Sequence, residues 1–330
     1  MRLLCAFLAS GLLLLSGVAV QGEDSPASIV ETRLIWSGAP HNAFTDLVYH
    51  NNTWYCVFRE GTKHVSPDGG LRVLSSPDGK EWKSLAKITA PDADLRDAKI
   101  SVAPDGRLCL TGAGAWNDPA KGNHQSYLWY SQDGTDWGEA IPVGDPNFWL
   151  WRITWHDGKA YGIGYKSGKS SDRSIRLYVS DDGRHFRTLV SDLSHDGFVN
   201  ESSLLFLPDN TLLAIVRRDG KPADALLGTA RPPYTDWNFR SLNVQIGGPQ
   251  LLQLPDGRIV VGGRRYPGSA KMQLWWLDSA TAQLKEIITL PSGGDTSYPG
   301  LVYHDGLLWV SYYSSHEGKT QIYLSKVKLD

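Results

Sequence analysis

Apolar and polar side chains alternate along most of the chain in short runs, the period-two pattern of half-buried strands. The runs pair across tight turns at YHNNTWY, APDGRLC, WHDGKAY, LPDNTLL, LPDGRIV and YHDGLLW, centred near Asn51, Asp105, Asp157, Asp209, Asp256 and Asp305. Asx-Gly and Asn-Asn pairs tolerate the positive φ that two-residue hairpins demand, so each site predicts a hairpin. The spacing is nearly constant at about fifty residues, the period of a repeat architecture.

A second motif follows the first three hairpins: Ser76-Pro77-Asp78-Gly79 with Trp82, Ser131-Gln132-Asp133-Gly134 with Trp137, and Ser180-Asp181-Asp182-Gly183 with Phe186. Serine and aspartate there can bond their own backbone across another hairpin, leaving the aromatic to pack between units. The motif is worn in the fourth repeat, around Tyr234 and Trp237, and lost in the last two. Four short strands per repeat predict an all-β fold, a six-bladed β-propeller of four-stranded antiparallel blades with almost no helix. The sixth repeat supplies only three strands before the sequence stops, so the early stretch VETRLIWSG is expected to complete that blade and close the ring.

The segment MRLLCAFLASGLLLLSGVAVQGEDS has an early arginine, an apolar run and small residues before Glu23, as a secretory signal requires. Residues 1–22 are therefore expected to be a cleaved leader and 23–330 one propeller domain. The product is expected to be secreted or periplasmic, monomeric and free of the membrane. A formal net charge of -2 gives no field to attract nucleic acid. Cys56 and Cys109 sit in apolar strand patterns and read more readily as two buried thiols than as a disulfide.

In a propeller the first strand of each blade lines the central channel, so residues several positions before each hairpin turn and about eight after it share one face. Polar residues gather at those offsets. Before the turns stand Asp46, Arg96 and Asp97, Arg152, Glu201, Gln250 and Tyr298; after them stand Arg59, Glu60, His64, Arg217, Arg218, Arg264 and Arg265. Charges at the ends of inner strands are costly unless they are paired or hydrated in a shared cavity. Tyrosine is a poor nucleophile at its usual pKa of about 10 and needs a base; Glu201 can serve Tyr298. A neutral phenol suits a sugar that carries its own carboxylate, because an anionic nucleophile would be repelled. Arginine binds such a carboxylate through paired charge-assisted hydrogen bonds. No His/Cys/Asp cluster has a metal-ligand spacing, and neither metal nor cofactor is expected.

The S-x-D-G turns, NESSLLFLPDNTLLAIVRR and SYPGLVYHDGLLWVSYY together resemble the sialidase superfamily, the BNR or Asp-box proteins, over essentially the whole of 23–330. The resemblance implies Tyr298 as nucleophile, Glu201 as its base and Arg217 as a carboxylate-binding arginine. The first blade opens AFTDLVY where the family reads R-I-P, so further substrate contacts are expected from Arg59, Arg96, Arg152, Arg264, Arg265, His64 and Gln250. Family topology makes Asp68 a candidate general acid, with Asp97 and His64 as alternatives; SPDGG around Asp68 also reads as an ordinary turn. The expected activity is retaining exo-hydrolysis of an acidic terminal sugar, of sialic acid or uronate type. A uronate lyase using Tyr298 or His64 as base and a non-catalytic glycan-binding propeller are the alternatives.

Overall fold

The structure, a computed structural model, describes residues 27–168, 173–266 and 268–330. The leader assigned to 1–22 lies outside the described residues. The chain opens with β1 (Ala27–Trp36) and then builds five blades in order. They are β2 (His41–His50) to β3 (Thr53–Gly61), β4 (Gly70–Ser76) and β5 (Lys83–Thr89); then β6 (Ala93–Val102), β7 (Leu108–Trp116), β8 (His124–Ser131) and β9 (Ile141–Val143). In the third blade the inner strand is split into β10 (Phe148–Leu150) and β11 (Thr154–His156), both paired with β12 (Lys159–Lys166), which continues to β13 (Ile175–Ser180) and β14 (Arg187–Ser194). The fourth is β15 (Val199–Phe206), β16 (Leu212–Arg218), β17 (Leu226–Ala230) and β18 (Trp237–Ser241), and the fifth is β19 (Ile246–Gln253), β20 (Ile259–Arg265), β21 (Lys271–Asp278) and β22 (Gln283–Thr289). Helix among the described residues is limited to one 3₁₀ turn, Pro119–Lys121.

The sixth blade consists of β23 (Ser297–His304), β24 (Leu307–Ser314) and β25 (Gln321–Leu329), with β1 as its outer strand. β1 pairs antiparallel with β25 from Ala27↔Leu329 to Trp36↔Ile322, so the two ends of the described chain share one sheet. At the seam Trp36 Nε1 donates to Glu60 Oε1 of the first blade at 2.6 Å. Trp54 and Trp309 stack across the same seam with centroids 4.2 Å apart. Aromatic interleaving of this kind is the expected cement between blades.

The hairpin turns divide into two kinds. Asn51-Asn52, Asp157-Gly158 and Asp305-Gly306 have positive φ at both residues and join strands paired at His50↔Thr53, His156↔Lys159 and His304↔Leu307, as two-residue type I′ loops require. The other three contradict the two-residue expectation. Pro104-Asp105-Gly106, Pro208-Asp209-Asn210 and Pro255-Asp256-Gly257 have a single left-handed residue, Gly106, Asn210 or Gly257, and close with bonds such as Ala103 N–H to Arg107 O at 2.8 Å. Proline before the aspartate fixes φ for the first turn position and selects this wider loop.

The S-x-D-G turns behave as their side chains dictate. Gly79 N–H and Gly134 N–H each donate to Ser76 Oγ and Ser131 Oγ at 2.8 Å, while Trp82 Nε1 and Trp137 Nε1 donate back to the glycine carbonyls. The fourth repeat keeps this geometry without the glycine: Tyr234 takes φ 67 and its carbonyl accepts from Trp237 Nε1 at 2.9 Å. Cys56 and Cys109 are buried free thiols, and burial pushes the Cys109 thiol up to about 12.

The inner strands carry the feature that positions a site. In five blades the inner strand slips register against its partner, at Ala43/Asp46, Arg96/Lys99, Val199/Ser202, Gly247/Gln250 and Ser297/Gly300, and in the third it breaks between β10 and β11. Phe44, Asp97, Gly248 and Tyr298 occupy the bulges with φ of 66, 55, 57 and 50. A bulge inserts a residue without a ladder partner and re-aims its side chain. Repeated around a ring, it gives most blades one redirected residue at the same level.

Candidate active site

Tyr298 stands at the bulge of β23 and Glu201 at that of β15. The Tyr298 hydroxyl donates to Glu201 Oε1, and Arg217 from β16 bonds Glu201 Oε2 at 2.7 Å and reaches the Tyr298 oxygen at 3.4 Å. Arg217 is itself aligned by Asp219, which accepts from its Nε at 2.9 Å and from Asn200 Nδ2 at 2.7 Å. Tyr298 and Glu201 are both buried. Burial first, and then the Glu201 charge, raises the Tyr298 hydroxyl well above its ordinary value, so it is a neutral donor facing a carboxylate. Burial disfavours the Arg217 charge, but Glu201 and its neighbours outweigh it and hold the guanidinium protonated.

A left-handed tyrosine costs energy and persists only when its surroundings over-determine it. Here Thr45 Oγ1 donates to the Tyr298 carbonyl at 2.7 Å and Ser297 Oγ to the Gly247 carbonyl at 2.8 Å. Phe44 meets the ring edge-on at 5.1 Å and Tyr313 stacks at 5.8 Å. A Cβ on Gly248 would come within 2.9 Å of Ser297 Oγ and 3.0 Å of the Tyr298 ring, so glycine is what lets the ring seat.

Beneath the ring lies Lys99, its Nζ 5.1 Å from the Tyr298 centroid and 5.0 Å from that of Trp151, donating to Thr45 O at 2.9 Å. Burial, then the Arg152 charge, lowers its ammonium to about 8. Asp97, two residues earlier, is buried with its carboxyl raised to about 6, by loss of water first and by Glu201 second. The site thus holds a phenol, an arginine-bound carboxylate and a second carboxyl that keeps its proton into mildly acidic pH. Such a set can attack, accept a proton and deliver one.

Other predicted residues fall elsewhere. Arg59 is fully buried with its donors taken up by Asp94 Oδ1 at 2.8 Å, Lys63 O at 2.8 Å and Ser66, so it braces the loop after β3 and keeps no donor for a substrate. Asp68 accepts from the Thr62 backbone and hydroxyl, and bonds from Ser66 and Thr62 push its carboxyl down, the wrong direction for an acid. It caps an ordinary turn. Arg265 pairs with Glu286 on the outside of its blade at 3.0 Å. Arg96 pairs with Asp94 at 2.6 Å and Gln250 accepts from Ser203 at 3.3 Å. Arg152 stays close to the site: it bonds buried Asp46 at 2.7 Å, lies 5.4 Å from the Trp151 ring centroid beside Lys99, and keeps Nε and Nη2 buried without partners among the described residues. His64 turns to Asp295 at 2.8 Å.

Arg264 does approach the site: its charge is coupled to Tyr298, Tyr313 and Arg217, and its buried Nε has no partner among the described residues. Arg173, not singled out from the sequence, is similar. It lies over the Phe198 ring at 4.4 Å, feels Glu201 and Arg217, and has Nε and Nη1 buried without partners among the described residues. Lys99 was also missed, although its place two residues after Asp97 in DLRDAKIS, matching Asp46 after Phe44, is a legible signal.

The molecule is a six-bladed β-propeller. No family model and no curated protein sequence matches the chain. Solved structures do. A Dyadobacter fermentans protein of unknown function superposes with TM-score 0.80 at 20% identity, over 92% of this chain and 100% of that one. An α-L-arabinanase from Penicillium chrysogenum complexed with arabinobiose gives 0.72 at 15%, over 92% and 99%. Trypanosoma rangeli sialidase, with 2,3-difluorosialic acid as a covalent intermediate, gives 0.68 at 12%, over 92% of this chain and 59% of that one.

Proposed function

We propose that the protein is a retaining glycoside hydrolase that removes an acidic terminal sugar through a tyrosyl intermediate. The observation that carries this is the Tyr298–Glu201–Arg217 chain of hydrogen bonds. The Tyr298 oxygen attacks the anomeric carbon while its proton passes to Glu201. The departing glycosidic oxygen takes the proton of Asp97, whose raised pKa suits an acid. Water, deprotonated by Asp97, then cleaves the tyrosyl glycoside and Glu201 returns the proton to Tyr298. Arg217 holds Glu201 in place, and the unpartnered guanidinium N–H groups of Arg264 and Arg173 supply donors for a sugar carboxylate. Lys99 under the ring favours negative charge growing on the phenol oxygen. Both the sialidase and the arabinanase among similar folds act on sugars, which supports a carbohydrate substrate. The signal-like leader agrees with an exported enzyme that meets glycans outside the cytoplasm.

The test is a screen of reporter glycosides of sialic, glucuronic, galacturonic and neutral sugars, with Tyr298→Phe as control. Turnover confined to the acidic sugars and abolished in Tyr298→Phe, with a fluorinated acidic sugar trapped covalently on the Tyr298 peptide, is the expected result. Full activity in folded Tyr298→Phe overturns the nucleophile. An unsaturated product would make the protein a lyase, and binding without turnover of any sugar would make it a lectin.

A further inference from the structure

Three side chains that the proposed chemistry leaves unused meet where the ring closes. His41 opens β2, His64 lies in the loop after β3, and Asp295 precedes β23. His41 Nε2 is 3.0 Å and His64 Nδ1 2.8 Å from the same oxygen, Asp295 Oδ2. The three potential ligand atoms all lie within 4.8 Å of one another. We propose that His41, His64 and Asp295 bind a zinc-class divalent ion that joins the first blade to the sixth.

The donor set is chemically suited. Two imidazoles and one carboxylate with an open fourth position match three-ligand zinc sites. With bonds of about 2.0–2.1 Å, tetrahedral ligands sit about 3.3 Å apart, so the two histidine–carboxylate contacts open by a few tenths of an ångström while the two histidine nitrogens, within 4.8 Å of each other, settle to the same spacing through rotation of the exposed His64 side chain. The side chain of His64 is 53% exposed, which gives the ion an entry path and leaves water or a substrate oxygen room to complete the shell. His41 is buried; its Nε2–H donates to the Asp295 carboxylate in the metal-free state, and its Nδ1, which makes no hydrogen bond, can take up the proton when an ion replaces that bond.

The backbone around each ligand is pinned before any ion arrives. Asn42, next to His41, donates through Nδ2 to Thr320 O and Ala39 O, both at 2.9 Å. The His64 loop is held by the buried fork of Arg59 on Lys63 O and Ser66. The Asp295 N–H donates to Ser315 Oγ at 2.8 Å. Preorganised ligands of this kind lower the cost of binding. The missing outer-shell acceptor on His41 Nδ1 sets the affinity roughly 10–100-fold below that of fully supported sites. Phe44 touches both the His64 and the Tyr298 rings at 5.1 Å, so an ion here would also stiffen one wall of the active site.

The experiment uses the full chain, stripped with chelator and dialysed against zinc alone, with metal content measured per chain and cobalt substituted for its visible ligand-field bands. Close to one zinc per chain, tetrahedral cobalt bands and a higher melting midpoint with zinc are expected. His64→Ala, at an exposed side chain, and Asp295→Asn should each weaken binding at least about tenfold. Tyr298→Phe should bind as wild type, which separates this site from the proposed catalysis. Wild-type protein that holds less than about a tenth of an equivalent at roughly 100 µM zinc, or His64→Ala and Asp295→Asn variants that bind as wild type, overturn the proposal.

Discussion

Asp97 gives the sharpest test of the electrostatics, because one substitution isolates it. Its carboxyl is raised from 3.8 to about 6 by burial first and then by Glu201. For an acid raised in the folded state, the native protein is favoured when the group is protonated, and stability is lost as pH rises from the unfolded value to the folded one. The full loss is about 3 kcal/mol, from 2.2 units at about 1.36 kcal/mol each. Since the unfolded chain is already largely ionised at pH 4.5, about 2 kcal/mol of that falls between about pH 4.5 and about pH 7.5. Asp97→Asn removes the titration while keeping shape, and asparagine accepts the left-handed φ of 55 that the bulge imposes. The assay is urea unfolding of both proteins across that window. The variant should gain on wild type by about 2 kcal/mol as pH rises, with the gain flattening once Asp97 is fully ionised. Lys99, lowered to about 8, titrates at the upper edge of the window, and because the Asp97 charge helps to hold its proton its titration moves lower in the variant, so the difference is read on the acid side of about pH 7. A difference that stays flat with pH refutes the raised carboxyl, and with it the case for Asp97 as the proton donor. Catalysis should respond oppositely, with turnover of the more stable variant falling by about 10²–10⁴-fold.

Two further perturbations probe the scaffold. Arg59→Met should destabilise by about 3–5 kcal/mol, read by thermal or urea unfolding, because the buried guanidinium is withdrawn from Asp94 and from the loop carrying His64; unchanged stability with a raised KM would return Arg59 to the substrate. Deleting residues up to Trp36 removes β1 and exposes the edge of β25, so the truncated protein should melt lower and associate in light scattering, while a monomer of native stability would show that the β1–β25 pairing is dispensable.

The fold was legible because its signals are local and repeated. Each turn declares itself through Asn or Asp beside Gly or Asn, and even the division into two loop types is written in the proline of PDG and PDN. The vacant fourth place in the last blade and the spare strand near the start predict each other, and β1 on β25 is the outcome. The candidate site was legible only where a residue type is expensive at its position. Glu201 and Tyr298, 97 residues apart, could be paired because the ring fixes which ends of inner strands converge. Arginines could not be sorted the same way. Arg59, Arg217 and Arg264 all lie near the end of a second strand, yet one is a fully buried strut, one binds the carboxylate and one retains a free N–H, and the difference lies in partners on other strands such as Asp94 and Glu201. The His41–His64–Asp295 cluster has no spacing to read, since His64 and Asp295 are 231 residues apart and meet only at the seam. What sequence periodicity conveys is the scaffold and the level at which each blade bulges; which bulge side chain faces which is a property of closure. That is why Asp97, read from the sequence as one of three candidate acids, is distinguished from Asp68 by burial against Glu201 and by nothing in its own neighbourhood of the chain.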